Sequence, residues 1–66
     1  MIPAAKIKIV YLNHVSVGSA VSWTDASLVL SAVLDREVSL AEAMRRGIER
    51  PDFFYITMPR LTLTRP

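Results

Sequence analysis

The sequence has no cysteine and only one histidine, His14, among its 66 residues. The absence of cysteine excludes disulfides, and one imidazole with six scattered carboxylates gives no recognisable metal-ligand spacing. Because no positioned nucleophile or second ligand accompanies His14, a structural role is favoured over general-base chemistry. We therefore expect no metal, no cofactor and no enzymatic activity.

Long apolar runs are missing as well. The longest uncharged stretch, residues 9–24, contains Asn13, His14 and three serines, and is both too short and too polar to cross a bilayer. Lys6 and Lys8 interrupt any apolar core of a signal-type segment near the start. We expect no membrane association and a cytoplasmic location, with which the lack of cysteine agrees.

Apolar residues, in contrast, are abundant. Hydrophobic residues make up 52% and charged residues 21% of the 66 positions, and this length predicts a single domain over residues 1–66. A domain of this size buries only about 60% of the surface that its unfolded chain exposes, so some apolar surface should remain exposed. Because contiguous exposed apolar patches mark interfaces, we expect self-association, most simply as a two-fold homodimer.

Three segments alternate with the period of two that is typical of β-strands. Residues 6–12 begin with outward-facing lysines and become apolar on both faces. Residues 52–58 are apolar on both faces, which predicts a central strand or one covered on both sides. Leu61 and Leu63 alternate with polar residues between two prolines, which favours an edge strand.

Residues 15–23 predict a hairpin with Gly18-Ser19 at its turn, because glycine adopts the positive φ of a type II′ turn. An irregular loop at this glycine is the alternative. Thr24-Asp25 can cap a helix, but residues 26–34 fit both helical and strand spacing. The capping residues favour the helix.

Residues 39–49 give the clearest helix prediction. Ser39 and Glu42 have the spacing of a capping box, and Glu42 can pair with Arg46 one turn later. An apolar stripe includes Gly47, where close packing against another backbone would explain a glycine, and Pro51 is expected to stop the helix.

This order of elements predicts an α+β fold. The economical arrangement is a small, mainly antiparallel sheet of three or four strands, with one or two helices packed on one face and the order β-β-α-α-β, followed by a possible final strand.

Two sets of residues are candidates for contacting a partner. A basic set could contact an acidic protein or nucleic acid, although acidic residues lie among its members. It comprises Arg45, Arg46, Arg50 and Arg60. An aromatic and methionine set could anchor an interface, although a core role is the alternative for most of its members. It comprises Trp23, Phe53, Phe54, Tyr55 and Met58. Since Phe53 and Phe54 cannot easily share one interior, one of them is expected to contact a second subunit or a partner.

These features favour a non-enzymatic protein–protein interaction module, homodimeric and acting stoichiometrically as an inhibitor or adaptor. Such anti-CRISPR-like proteins are of the kind that phages and mobile elements direct against host machinery. The reasons are the high apolar content, the absence of a catalytic set and a body too small to enclose an active site. The alternatives are a small nucleic-acid-binding regulator that uses a basic helix face, and an apolar-ligand or lipid binder.

Overall fold

A computed structural model describes residues 6–59 and shows the expected α+β fold, with two helices packed on a four-stranded mixed sheet. The predicted edge strand at Leu61 and Leu63 lies outside the described residues. In chain order, the elements are β1 (Lys8–Leu12), β2 (Val15–Ala20), α1 (Trp23–Leu34), α2 (Leu40–Arg46), β3 (Gly47–Glu49) and β4 (Phe53–Ile56).

The strands lie side by side in the order β2-β1-β4-β3. The pairs β1–β2 and β3–β4 are antiparallel, whereas β1 and β4 run parallel, with Ile9 opposite Phe53 and Tyr11 opposite Tyr55. The sheet is therefore mainly antiparallel, as predicted. The parallel pair exists because both helices and β3 lie between its two strands in the sequence, and this intervening chain supplies the crossover that parallel strands require.

The hairpin prediction over residues 15–23 is wrong in its position. The hairpin joins β1 to β2, and Leu12 pairs with Val15 across a turn formed by Asn13 and His14. Both turn residues have positive φ, 49° and 72°, as a type I′ turn requires. Gly18 lies inside β2, opposite Val10, because a side chain there would meet Val29 of α1.

Residues 26–34 are helical, which confirms the favoured alternative. The predicted cap is wrong, because Ser22 rather than Thr24-Asp25 is the N-cap and its hydroxyl accepts a hydrogen bond from the Asp25 amide at 3.3 Å. Asp25 lies in the first turn, and its carboxylate accepts from the Val21 amide. The serine thus binds one of the free amides at the start of α1.

The second helix is shorter than predicted. Ser39 caps it as expected, accepting from the Glu42 amide at 3.1 Å, but α2 ends at Arg46 and residues 47–49 form β3. Pro51 therefore does not end the helix. A Cβ on Gly47 would lie 2.7 Å from Ile56 Cγ1 and 3.0 Å from both the Ala43 carbonyl oxygen and the Trp23 ring. The glycine therefore packs closely, but mainly against side chains rather than against another backbone as expected.

The core lies between the helices and one face of the sheet. Val10 and Leu12 of β1 and Phe54 and Ile56 of β4 are buried, and Leu30 of α1 packs with them. The residues between them on the same strands are not buried. The prediction of a central strand over residues 52–58 is confirmed, because β4 lies between β1 and β3. Its alternative, a strand covered on both sides, does not hold, because the described helices cover a single face.

Gly47→Ala should destabilise the fold by about 1–3 kcal/mol, because the new methyl group meets a carbonyl oxygen and two side chains that are already closely packed. Urea denaturation followed by circular dichroism measures this loss. Gly18→Ala is the matched comparison, since a Cβ there would meet only Val29, and its cost should be smaller. Equal stability of the Gly47→Ala protein and the wild type would contradict the close packing.

Candidate functional site: the open face of the sheet

The face of the sheet opposite the helices carries a continuous set of apolar side chains, which we call the open face. The pairing of the strands places these side chains in two rows. One row joins Ile9 to Phe53, and the other joins Tyr11, Tyr55 and Ile48 across three strands. Ile9 is 45% exposed and Ile48 is 51% exposed, so the open face is accessible to a partner.

Three aromatic rings form the centre of the open face. The ring centroid of Tyr11 lies 5.8 Å from that of Phe53 and 6.1 Å from that of Tyr55, and the Phe53 and Tyr55 centroids are 6.2 Å apart. These separations lie within the range of favourable aromatic pairs. The rings support one another laterally, which keeps all three half-buried without any described element above them.

His14 lies at one end of the open face. The type I′ turn presents its imidazole to Tyr55, with ring centroids 5.4 Å apart, and the Tyr55 hydroxyl is hydrogen-bonded to His14 Nδ1. The contact supports the expectation of a structural role for this histidine, because it ties the hairpin turn to the adjacent strand β4. Neither Asp nor Glu contacts His14 among the hydrogen bonds of residues 6–59.

The structure divides the predicted interface anchors between two locations. Phe53 and Tyr55 lie on the open face, as expected for one of the two adjacent phenylalanines. Phe54 is fully buried and Met58 nearly so, so both belong to the core and cannot contact a partner directly. Trp23 is half-buried at the start of α1, where its ring lies 4.7 Å from that of Phe54.

The predicted basic set is not brought together on one helix. Arg45 and Arg46 lie at the end of α2, but Arg50 follows the extended strand β3 rather than the same helix. Four extended residues span about 13 Å, against about 6 Å in a helix, so Arg50 lies well away from Arg46. Arg60 lies outside the described residues.

Ion pairs tie the two lysines near β1 to carboxylates. Lys6 pairs with Asp52, and hydrogen bonding from Lys6 together with its charge lowers the pKa of Asp52. Lys8 pairs with Glu49 and lies 5.1 Å above the Phe54 ring, and hydrogen bonding from Lys8 lowers the pKa of Glu49. The prediction that both lysines face outward is wrong for Lys8. Its side chain lies on the helical side of the sheet and is only 13% exposed.

A second cluster connects the interhelix turn to α2. Arg36 donates to both oxygens of Glu42, at 3.2 and 3.1 Å, and Arg46 Nε donates to the same carboxylate at 3.4 Å. The expected pair of Glu42 and Arg46 is confirmed. The Glu42 side chain does not complete the capping box, because Arg36 and Arg46 bind it instead. Hydrogen bonding from Arg36 is the main cause of the lowered pKa of Glu42.

Metal-ion binding and membrane spanning find no support in residues 6–59. No group of three His, Asp or Glu side chains in this part of the chain lies close enough together to hold a metal ion. No helix in the same part is long and apolar enough to cross a membrane.

Sequence analysis missed three members of the open face, which are Ile9, Tyr11 and Ile48. Ile9 and Tyr11 were visible as alternating residues of a strand, but their face could not be known before the helices were placed. Ile48 lies within the helix predicted over residues 39–49. Apart from the glycine at position 47, nothing in the sequence indicates that the chain changes there from helix α2 to strand β3.

Glu42→Gln should lower stability at neutral pH and weaken the acid dependence of unfolding. The folded-state pKa of Glu42 lies below its ordinary value of 4.5. The ionised carboxylate therefore stabilises the fold above that value, and this contribution is lost as the pH falls through the folded-state pKa. Urea midpoints at neutral pH and at about pH 3 measure both effects.

Glu37→Gln is the control for this prediction, since Glu37 makes no ion pair among the described residues. If Glu42→Gln and Glu37→Gln showed the same acid dependence of the urea midpoint, Glu42 would have no special role in stability.

Comparison with known proteins adds no relative from which a function could be transferred. No family model, no curated protein and no solved structure matches this chain.

Proposed function

We propose that this protein is a non-enzymatic interaction module that forms a homodimer through the open face of its sheet. The observation that carries the proposal is the pair of apolar rows across β1, β4 and β3, which no described element covers. In the dimer, the open faces of two copies would pack against each other as two layers of a sandwich, a common arrangement for sheets with one bare apolar face.

Self-association supplies what one copy lacks. A sheet is stable in water when its apolar face is buried against another layer, and residues 6–59 provide helices for only one side. A second copy presents the same apolar rows about a two-fold axis, so the same surface serves both partners. The serines of β2, Ser16 and Ser19, pair with Tyr11 and Ile9 and give the open face a polar border on that side.

The size of the open face sets the expected strength of the dimer. Four strands about 4.8 Å apart, each of about five residues, form a face of about 19 by about 16 Å. This flat area of about 300 Å² is smaller than the roughly 800 Å² per partner of a standard interface. A weak, concentration-dependent dimer is therefore expected.

The dimer would act stoichiometrically on a further protein, as an inhibitor or adaptor. Exposed apolar side chains on the helical side support this part of the proposal, because packing of the two sheets leaves that side accessible. Leu40 and Met44 lie one turn apart on α2 and are both about half exposed, and Leu28 of α1 is more exposed still. Pairs of large apolar residues at this spacing are a common feature of helix-mediated contacts.

Single-stranded nucleic acid is the second candidate, and the three neighbouring rings of the open face favour it. Bases stack on aromatic side chains exposed on sheets, but such surfaces also need cations for the phosphates. Lys6 and Lys8 are paired with carboxylates, and Arg46 lies on α2 on the opposite side of the sheet, which leaves Arg45 and Arg50 without ion pairs among residues 6–59. This charge distribution supports the protein interface over the nucleic-acid surface.

Ile48→Lys tests the dimer, because it places an ammonium group at the end of the longer apolar row. Sedimentation equilibrium of the wild type should give a mass approaching twice the 7.4 kDa of one chain as concentration rises. The variant should raise the dissociation constant by at least about tenfold, since the buried charge would have no partner.

Met44→Lys is the matched control, with an exposure of 49% against 51% for Ile48 but a position on α2. It should leave the dimer intact. A wild type that stays at 7.4 kDa up to about 500 µM, or equal weakening by both variants, would overturn the proposed interface.

An anisotropy titration with a labelled oligonucleotide of about ten nucleotides separates the second candidate from the first. The homodimer proposal predicts no saturable binding. Binding that falls steeply with salt, and that is abolished when Arg45→Glu and Arg46→Glu are combined, would instead support the nucleic-acid function.

A further inference from the structure

We propose that a groove on the helical side of the protein binds a small amphipathic carboxylate, with Arg46 as its cation. The groove has a volume of about 720 Å³ and lies between the β1–β2 hairpin, α2 and the end of β4. It is distinct from the open face, so the inference does not depend on the proposed homodimer. Its lining includes Leu12, Val17, Leu34 and Met58, together with the charged cluster of Arg36, Glu42 and Arg46.

The Arg46 side chain has hydrogen-bond donors that no described residue uses. A guanidinium carries five N–H groups, and among the described residues that of Arg46 donates only through Nε, to Glu42. The terminal nitrogens of Arg46 therefore keep their N–H groups, in the paired geometry that matches a carboxylate. The Arg46 side chain is 34% exposed, which leaves it open to a ligand while limiting its movement.

The acidic member of the cluster does not cancel this charge. Arg36 binds both oxygens of Glu42, so it neutralises the carboxylate largely by itself. Two guanidiniums and one carboxylate leave one net positive charge at neutral pH, and the lowered pKa of Glu42 keeps that carboxylate ionised. The bond to Glu42 also fixes the direction of the Arg46 side chain.

Apart from the charged cluster and Asn13, the lining is apolar and selects the other end of the ligand. Leu12 and Met58 form its buried side, and Val17 and Leu34 are half-buried. A volume of about 720 Å³ is within the range of sites for small organic molecules. One net positive charge beside an apolar surface is complementary to a single carboxylate on an aliphatic chain, and an aliphatic monocarboxylate is the simplest molecule of this kind.

Sodium decanoate is the probe, with the full chain labelled for methyl NMR. Saturable shifts are expected for the methyl groups of Val17, Leu34 and Met58. Decanol, which has the same chain without the charge, should bind at least about tenfold more weakly, because it lacks the charged group that pairs with the guanidinium. Butyrate should also bind more weakly, because it buries fewer methylene groups.

Arg46→Gln should reduce decanoate affinity by about tenfold or more and bring it close to that of decanol. Arg45→Gln is the matched control, because Arg45 precedes Arg46 on α2 but is not part of the groove lining. The Arg45→Gln protein should bind decanoate with the affinity of the wild type. Dispersed NMR spectra establish that both variants are folded.

The ligand comparison also tests the proposal on the wild type alone, without any variant. Equal affinity for decanoate and decanol, shifts confined to the open face, or no saturation within the solubility of decanoate would each overturn it.

Discussion

The structure depends on the alternation of side chains along β1 and β4. Every second residue of these two strands enters the core, and the residues between them project to the opposite side of the sheet. Because these are the central strands of the sheet and both are apolar on both faces, two apolar surfaces form at once. The helices bury one of them, and the other is the open face. The proposed homodimer is the direct consequence of that imbalance.

Local signals in the sequence predicted much of the fold. The capping serine and the apolar spacing gave α2, the alternating residues gave β1 and β4, and the element order gave the fold class. The errors lie where tertiary packing outweighs local preference. Gly18 has the chemistry of a turn residue, yet it lies in β2 because α1 packs against it there. Asn13 and His14 adopt the left-handed conformations of the turn, although neither of them is a glycine.

The candidate site was less predictable than the fold. Phe53 and Tyr55 were chosen for their residue type, which also selected Phe54 and Met58, and those two are buried. Only the strand register shows which aromatic residues share a face with Ile9 and Ile48. The basic set was chosen by residue type, and α2 ends at Arg46, so the extension of the chain as β3 separates Arg50 from Arg45 and Arg46.

The most direct test of the central claim is an isotope-filtered NOE experiment on a mixture of labelled and unlabelled chains. The open-face homodimer predicts intermolecular contacts between the methyl groups of Ile48 or Ile9 in one copy and the rings of Tyr11, Phe53 or Tyr55 in the other. Intermolecular contacts found only at Leu40 and Met44 of α2, or none in a sample whose mass is that of a dimer, would contradict it.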